Sequence, residues 1–200
     1  MSVAQFELAE WRREVAALYA AVRRSADPAE GHAVWRAGRD ELFRHHPQTP
    51  LLPDDELRES GLPYWRYDPA LRFGCELEPN EPEERHVPTA SDGRIDMHRI
   101  GTVRLPEPVG GTLDVWWLDQ YGGGVFVPMR DATAGRTTYG AGRYLLDTAK
   151  GADLGGTHSE IVIDLNFAYH PSCRYNPRWE CPLAAPGNTT RVAIEAGERL

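Results

Sequence analysis

The segment Leu71-Arg72-Phe73-Gly74-Cys75-Glu76-Leu77-Glu78 carries an apolar side chain at every second position: Leu71, Phe73, Cys75 and Leu77. Arg72, Glu76 and Glu78 fall on the opposite side, so the segment is a half-buried strand; a helical turn would mix the two sets. Further strands are predicted at 64–67, 86–90, 94–105, 112–118, 125–129, 143–146, 160–168 and 190–195. Short strands broken by Pro and Gly, with no helices between them, predict an antiparallel β-barrel or curved β-sandwich. Asp92-Gly93 is the best hairpin signal, because Gly accepts the positive φ of a tight turn. A bulge is expected near Gly101, and the acidic, proline-containing run 78–85 reads as a solvated loop.

Upstream of Gly61 the spacing is helical. Leu8, Trp11, Val15, Leu18 and Val22 recur three and four apart and line one face. Ser2 and Gln5 form a capping box, with Met1 packing on Phe6, and the helix is expected to end near Ser25. A second helix starts at once, capped by Asp27 with Pro28 at its first position and Glu30 completing a box, and runs to about His46 before Pro47 and Pro50. A short helical turn from Asp54 stops at Gly61. The expectation is one α+β domain over 1–200: an N-terminal helical hairpin and connector in 1–60, packed on a β-barrel or sandwich in 61–200.

Charge narrows the function. Thirty acidic residues against 22 basic ones leave a net charge of -8, which repels polyphosphate and excludes a nucleic-acid footprint. No apolar run is long enough to span a membrane, and Glu7, Glu10, Arg12 and Arg13 interrupt any signal-peptide core, so a cytoplasmic protein is expected.

Polar residues in nominally buried segments are the candidates for a site. Arg39 shares a helix face with Trp35, Leu42, Phe43 and His46, so it must meet a carboxylate or an anionic ligand, and the ion pair is the commoner outcome. His46, at a helix end, is more often a dipole partner than a base. The densest polar stretch runs from Val127 to Tyr144 and includes Arg130, Asp131, Tyr139 and Arg143, a set suited either to hold a carboxylate or phosphate at a barrel mouth or to tie down a long connection. Gly140-Ala141-Gly142 lacks the third glycine and the following helix of a dinucleotide site. Alternation over 161–168 sends Asp164 and Asn166 to the same face, where they would be solvent residues, interior acid/base groups, or partners of Arg39, Arg130 or Arg143. Cys173 and Cys181 lie in one loop with His170 nearby, but their spacing matches no zinc knuckle, so loop-packing thiols are expected, with no metal and no cofactor. A disulfide between them or a Cys181–His170 nucleophile pair are the minor alternatives. Of Trp116 and Trp117, one must point inward and the other outward.

Two blocks of motifs carry a resemblance. The first is Arg39, Leu42-Phe43, His46-Pro47 and Thr49-Pro50-Leu51, followed by Gly61-Leu62, Tyr64, Arg130-Asp131, Thr133, Gly135, Thr138-Tyr139-Gly140 and Gly142-Arg143-Tyr144-Leu145. The second is Asp164-Leu165-Asn166-Phe167-Ala168-Tyr169-His170-Pro171, Cys173, Tyr175-Asn176, Cys181-Pro182-Leu183, Asn188 and Ala196-Gly197-Glu198. In this order they resemble a family of prokaryotic proteins known only as a domain of unknown function. The chain departs from that pattern at His170, where the family tends to have asparagine. The resemblance implies that these polar residues form one arrangement, and it implies no activity.

The function expected is binding of a small anionic organic molecule in a barrel pocket, with acid/base chemistry on it. Arg39, Arg130, Arg143, Asn166 and Tyr169 would bind the ligand, Asp131 and Asp164 would handle protons, and Tyr139 would donate to developing charge. The alternative is a structural or interaction protein whose polar groups form a buried network, acting through its surface or as a homodimer.

Overall fold

A computed structural model describes residues 3–89 and 93–200. The two long helices form where the sequence spacing puts them: α1 spans Val3–Arg24 and α2 spans Pro28–His45. The expected cap of α1 by Ser2, with Met1 on Phe6, lies outside the described residues. Asp27 caps α2 by accepting from the Ala29 N–H at 2.8 Å, and Pro28 occupies the first turn, where its missing N–H costs nothing. α2 buries the face made by His32, Trp35, Arg39, Leu42 and Phe43, whereas α1 buries only Tyr19 fully and lays Trp11, Val15, Leu18 and Val22 against the core. A single turn, α3 (Leu57–Ser60), ends at Gly61, whose φ of 78° suits a residue without a Cβ.

Among the described residues seven strands follow: β1 (Arg72–Glu78), β2 (Glu84–Thr89), β3 (Gly93–Arg104), β4 (Thr112–Leu118), β5 (Val125–Met129), β6 (Arg143–Asp147) and β7 (Glu160–Asp164). They form an antiparallel sheet in the order β6-β5-β4-β3-β1-β7, with β2 also paired to β3. The sheet curls into a half-barrel, so the fold is α+β, with the helical hairpin and the sheet sharing one core. β1 joins β3 only through Leu77 and Glu78 and joins β7 along most of its length, which sets the curl. The segment that follows β7 returns to the far edge at a bridge, where Tyr144 of β6 and Tyr169 exchange both backbone hydrogen bonds at 2.8 and 3.0 Å. β2 and β3 pair as a hairpin, while its turn at Asp92 lies outside the described residues. The register slips between Arg99 and Gly101, at the expected bulge.

Three expected strands differ. Residues 64–67 form only a bridge from Tyr64 to Glu198. β7 stops at Asp164 because its side chain turns back to accept from the Asn166 N–H at 3.0 Å, capping a tight turn over Leu165–Phe167. The turn breaks the alternation, so Leu165, Asn166, Phe167 and Ala168 are all buried. Residues 190–195 form no strand either: the Ile194 N–H donates to the Asp131 carboxylate at 3.1 Å, a side-chain acceptor where a ladder would have offered a carbonyl.

Most of β4, β5 and β6 is buried on both faces, whereas β1 buries one face and β2 neither. Trp116 is fully buried in a second small cluster with Met97, Leu118, Phe126, Tyr144 and Ala185, and its indole N–H donates to Asn188 at 2.8 Å. Trp117 points the other way and remains 38% exposed, not covered by the helices.

Candidate functional site

Arg39 occupies the middle of the buried face of α2, and its guanidinium meets Glu198, near the chain's last residue. Arg39 Nη2 lies 2.8 Å from Glu198 Oε2, and its Nε donates to the Tyr64 hydroxyl at 2.9 Å. The rings of Trp35, Phe43 and Tyr169 surround the guanidinium at 4.7 to 5.2 Å. Glu198, 1% exposed, also accepts from the His170 backbone N–H at 2.9 Å and from the Tyr175 hydroxyl. Burial opposes ionisation of Glu198, but Arg39 foremost, then His170 and Tyr175, hold its carboxyl down at about 2. The same surroundings keep Arg39 charged against its own burial.

Beside this pair a cavity of about 100 Å³ opens between the hairpin and the β6 side of the sheet. Trp11, Val15, Leu18, Leu42 and Phe43 supply its apolar wall; Arg39, Tyr144, Asp147, Lys150, Tyr169, His170 and Cys181 supply its polar one. Asp147 ends β6, and its backbone bonds both ways to Ala152 at 3.0 Å, closing a turn that brings Lys150 Nζ to 3.3 Å from Asp147 Oδ2. Asp147 Oδ1 is buried and has no hydrogen-bond partner. Burial pushes the Tyr144 and Tyr169 hydroxyls well up, so both are neutral donors.

The other residues singled out from sequence do not line this cavity. Asp131 and Arg143 pair at 2.8 Å, each 1% exposed at the side chain. Arg143 further donates to the carbonyls of Ile194 at 3.0 Å, Glu198 at 3.1 Å and Ala196, and Asp131 accepts from Thr133 N–H at 3.0 Å and Thr133 Oγ1 at 2.5 Å. Burial pulls the Arg143 guanidinium below its ordinary value, and Asp131 opposes that. This cluster clamps the C-terminal segment against β6, and it requires Gly142, where a Cβ would come 2.5 Å from the Met129 carbonyl.

Asp164 does not pair with Arg39, Arg130 or Arg143, as the sequence suggested; its nearest cation is Arg72, at 3.7 Å. The reason is the turn at 165–167, which aims it toward β1. It lines a smaller cavity of about 80 Å³ with Val22, Pro28 and Arg72. Burial raises the Asp164 carboxyl, opposed by bonds from Asn166. Asn166 staples the segment before β1: its Oδ1 accepts from Asp68 N–H and its Nδ2 donates to Asp68 O, both at 2.8 Å.

Arg130 is exposed and donates to the Gly140 carbonyl at 3.0 Å. Tyr139 is half-buried; its backbone N–H donates to His170 Nε2 at 3.2 Å, and burial followed by Cys173 raises its hydroxyl. His46 caps α2 and stacks edge-on against Trp11 at 5.2 Å. Of the expected ligand-binding residues, then, the cavity gathers Arg39 and Tyr169. Sequence reasoning missed Glu198, Asp147 and Lys150 as its companions. Glu198 had a signal in the Ala196-Gly197-Glu198 motif; Asp147 and Lys150 sit at a strand end that reads as an ordinary turn. Among the described residues no group of three or more His, Cys, Asp or Glu is arranged to hold a metal, and no helix is long and apolar enough to cross a membrane.

No curated protein matches the chain. A solution NMR structure of an uncharacterised protein from Haloarcula marismortui is similar, with 31% identity, a TM-score of 0.58, and coverage of 82% of this chain and 90% of that one. The family model described as a protein of unknown function, DUF1684, matches residues 59–199, which takes in the half-barrel, Glu198 and the polar wall of the cavity except Arg39. The chain belongs to that family.

Proposed function

We propose that the protein binds a small organic anion in the cavity between its helical hairpin and β6. The observation that carries this is the Asp147 carboxyl, 2% exposed, on the cavity wall, with one oxygen lacking a donor. A buried acceptor left unpaired costs about 1–3 kcal/mol, and a hydroxyl or amino group of a ligand would satisfy it. Trp11, Val15, Leu18 and Phe43 favour a compact apolar body, and Lys150 with Arg39 favours a negative end. Together these describe a hydroxy or amino acid small enough for about 100 Å³. Arg39 and Tyr169 keep the binding roles their sequence positions suggest. We assign no reaction, because Asp131 and Asp164 spend their oxygens on partners within the chain.

The test is native mass spectrometry of gently purified protein against its denatured mass, followed by thermal shifts with small hydroxy and amino acids. The expected result is a retained organic mass, or a raised melting temperature, with affinity about tenfold weaker in Asp147→Ala while that variant is at least as stable as the native chain. A bare protein that no candidate stabilises, or undiminished affinity in Asp147→Ala, overturns it.

A further inference from the structure

Arg72 and Asp164 stand directly opposite in the antiparallel pairing of β1 with β7, so their side chains leave the sheet on the same face. Both line the smaller cavity of about 80 Å³, whose apolar wall is Val22, Leu154, Val162 and Phe167. It shares no lining residue with the cavity at Asp147. Asp164, 1% exposed, spends one oxygen within the chain: Oδ1 accepts from the Asn166 N–H at 3.0 Å and from Asn166 Nδ2 at 2.8 Å. Its Oδ2 accepts a long bond from the Tyr67 hydroxyl at 3.3 Å and stands 3.7 Å from Arg72 Nε, too far for a hydrogen bond, so it retains capacity to accept. Among the described residues Asp164 is the one partner of the Arg72 guanidinium, which leaves its N–H donors for solvent or a ligand. The second guanidinium at this cavity is already occupied, because Arg23 Nη1 donates to the Asp153 carbonyl and lies 3.5 Å from the Asp153 carboxylate. We propose that this cavity binds a small α-amino acid as a zwitterion, Arg72 taking its carboxylate and Asp164 Oδ2 its ammonium.

Charge selects the class of ligand. A lone anion would meet the buried Asp164 carboxyl and a lone cation would meet Arg72, whereas a molecule carrying both charges sets each against its opposite. Distance selects the member. Arg72 Nε and Asp164 Oδ2 are 3.7 Å apart, so the ligand's own charges must be close together. In an α-amino acid a single carbon carries both groups, while a longer ω-amino acid holds them too far apart. Volume limits the side chain: at about 10–15 Å³ for each water-sized group, 80 Å³ admits a molecule the size of glycine or alanine and excludes an aromatic side chain. Arg72 offers the carboxylate a planar fork of donors, and the apolar wall receives the alanine methyl. The reading is independent of the organic anion proposed at Asp147.

The experiment titrates L-alanine into the full isotope-labelled chain and follows the backbone amides by NMR. Saturable shifts are expected at Val22, Val162 and Phe167, on the cavity wall. Propionate and ethylamine, which each carry one of the two charges, and γ-aminobutyrate, which holds them apart, are expected to bind at least about tenfold more weakly to the native chain. Arg72→Met is expected to weaken L-alanine about tenfold, and Asp147→Ala to leave it unchanged. Circular dichroism checks the folding of both variants, and the comparison of ligands on the native chain stands without them. Propionate or ethylamine binding as tightly as L-alanine overturns the proposal, as does the absence of any saturable shift up to about 10 mM or native affinity in a folded Arg72→Met. Shifts confined to Trp11 and Asp147, or binding lost in Asp147→Ala, would place the amino acid in the other cavity and overturn this site while supporting that one.

Discussion

Glu198→Gln removes the negative charge opposite Arg39 while keeping the shape of the side chain. The Glu198 carboxyl is held at about 2 against its ordinary 4.5. At about 1.4 kcal/mol per pKa unit, the native state favours the ionised form by about 3 kcal/mol. A second route reaches the same size: leaving a buried guanidinium without its counter-charge costs about 3–5 kcal/mol. In a chain of this length each kcal/mol moves the melting temperature by about 2–4 °C, so a drop of roughly 6–20 °C is expected. The cost lies in the orphaned charge more than in the lost contact, so Arg39→Met in the same chain should recover most of it. The pH dependence has a definite sign. The folded value lies below the unfolded one, so the contribution is complete above pH 4.5 and is lost as pH falls toward 2. Urea titrations of the native chain and both variants at neutral and acid pH measure this, with the slope m expected to be unchanged. A cost below about 1 kcal/mol for Glu198→Gln, or a double variant no more stable than the single, would refute the reasoning that the buried Arg39 guanidinium depends on the Glu198 charge.

His32 is buried, so its imidazole is lowered from 6.5 to about 4 despite the bond its Nε2 makes to the Asn166 carbonyl at 2.9 Å. The unfolded chain therefore takes up a proton that the native one refuses, and stability should fall as pH drops from 6.5 to about 4; in His32→Gln, which keeps a donor, that part of the stability curve should be flat. Asn166→Ala strands the Asp68 N–H and carbonyl, and its cost of about 2–4 kcal/mol should appear as a lower urea midpoint together with faster amide exchange at Asp68. An unchanged midpoint would mean that water replaces the staple.

The hairpin and most of the strands could be read from local pattern. Asp27-Pro28 marks a helix start through a side-chain cap and a fixed φ, Gly61 marks a helix end through its positive φ, and β4 and β5 fall at their predicted limits because a short apolar run bounded by turn residues is a local property. The misread segments are those in which a side chain replaces a backbone partner. Asp164 caps the turn that ends β7, and Asp131 takes the Ile194 amide that a strand would have given to a neighbour. Nothing in residue spacing reveals such substitutions, because an Asp in a strand and an Asp at a cap look alike in one dimension.

The site divides the same way. That Arg39 lies on a buried face follows from helical period, and a buried guanidinium demands a carboxylate. That the carboxylate is Glu198, 159 residues away, and not Asp164, depends on where the curl of the sheet brings the chain's end. The cavity is a matter of tertiary structure altogether, since Trp11, Arg39, Asp147 and Cys181 come from four distant segments. Periodicity and capping act between neighbours along the chain and can be read there, whereas pairing of buried charges and the shape of an enclosed volume are set by packing between segments far apart in sequence.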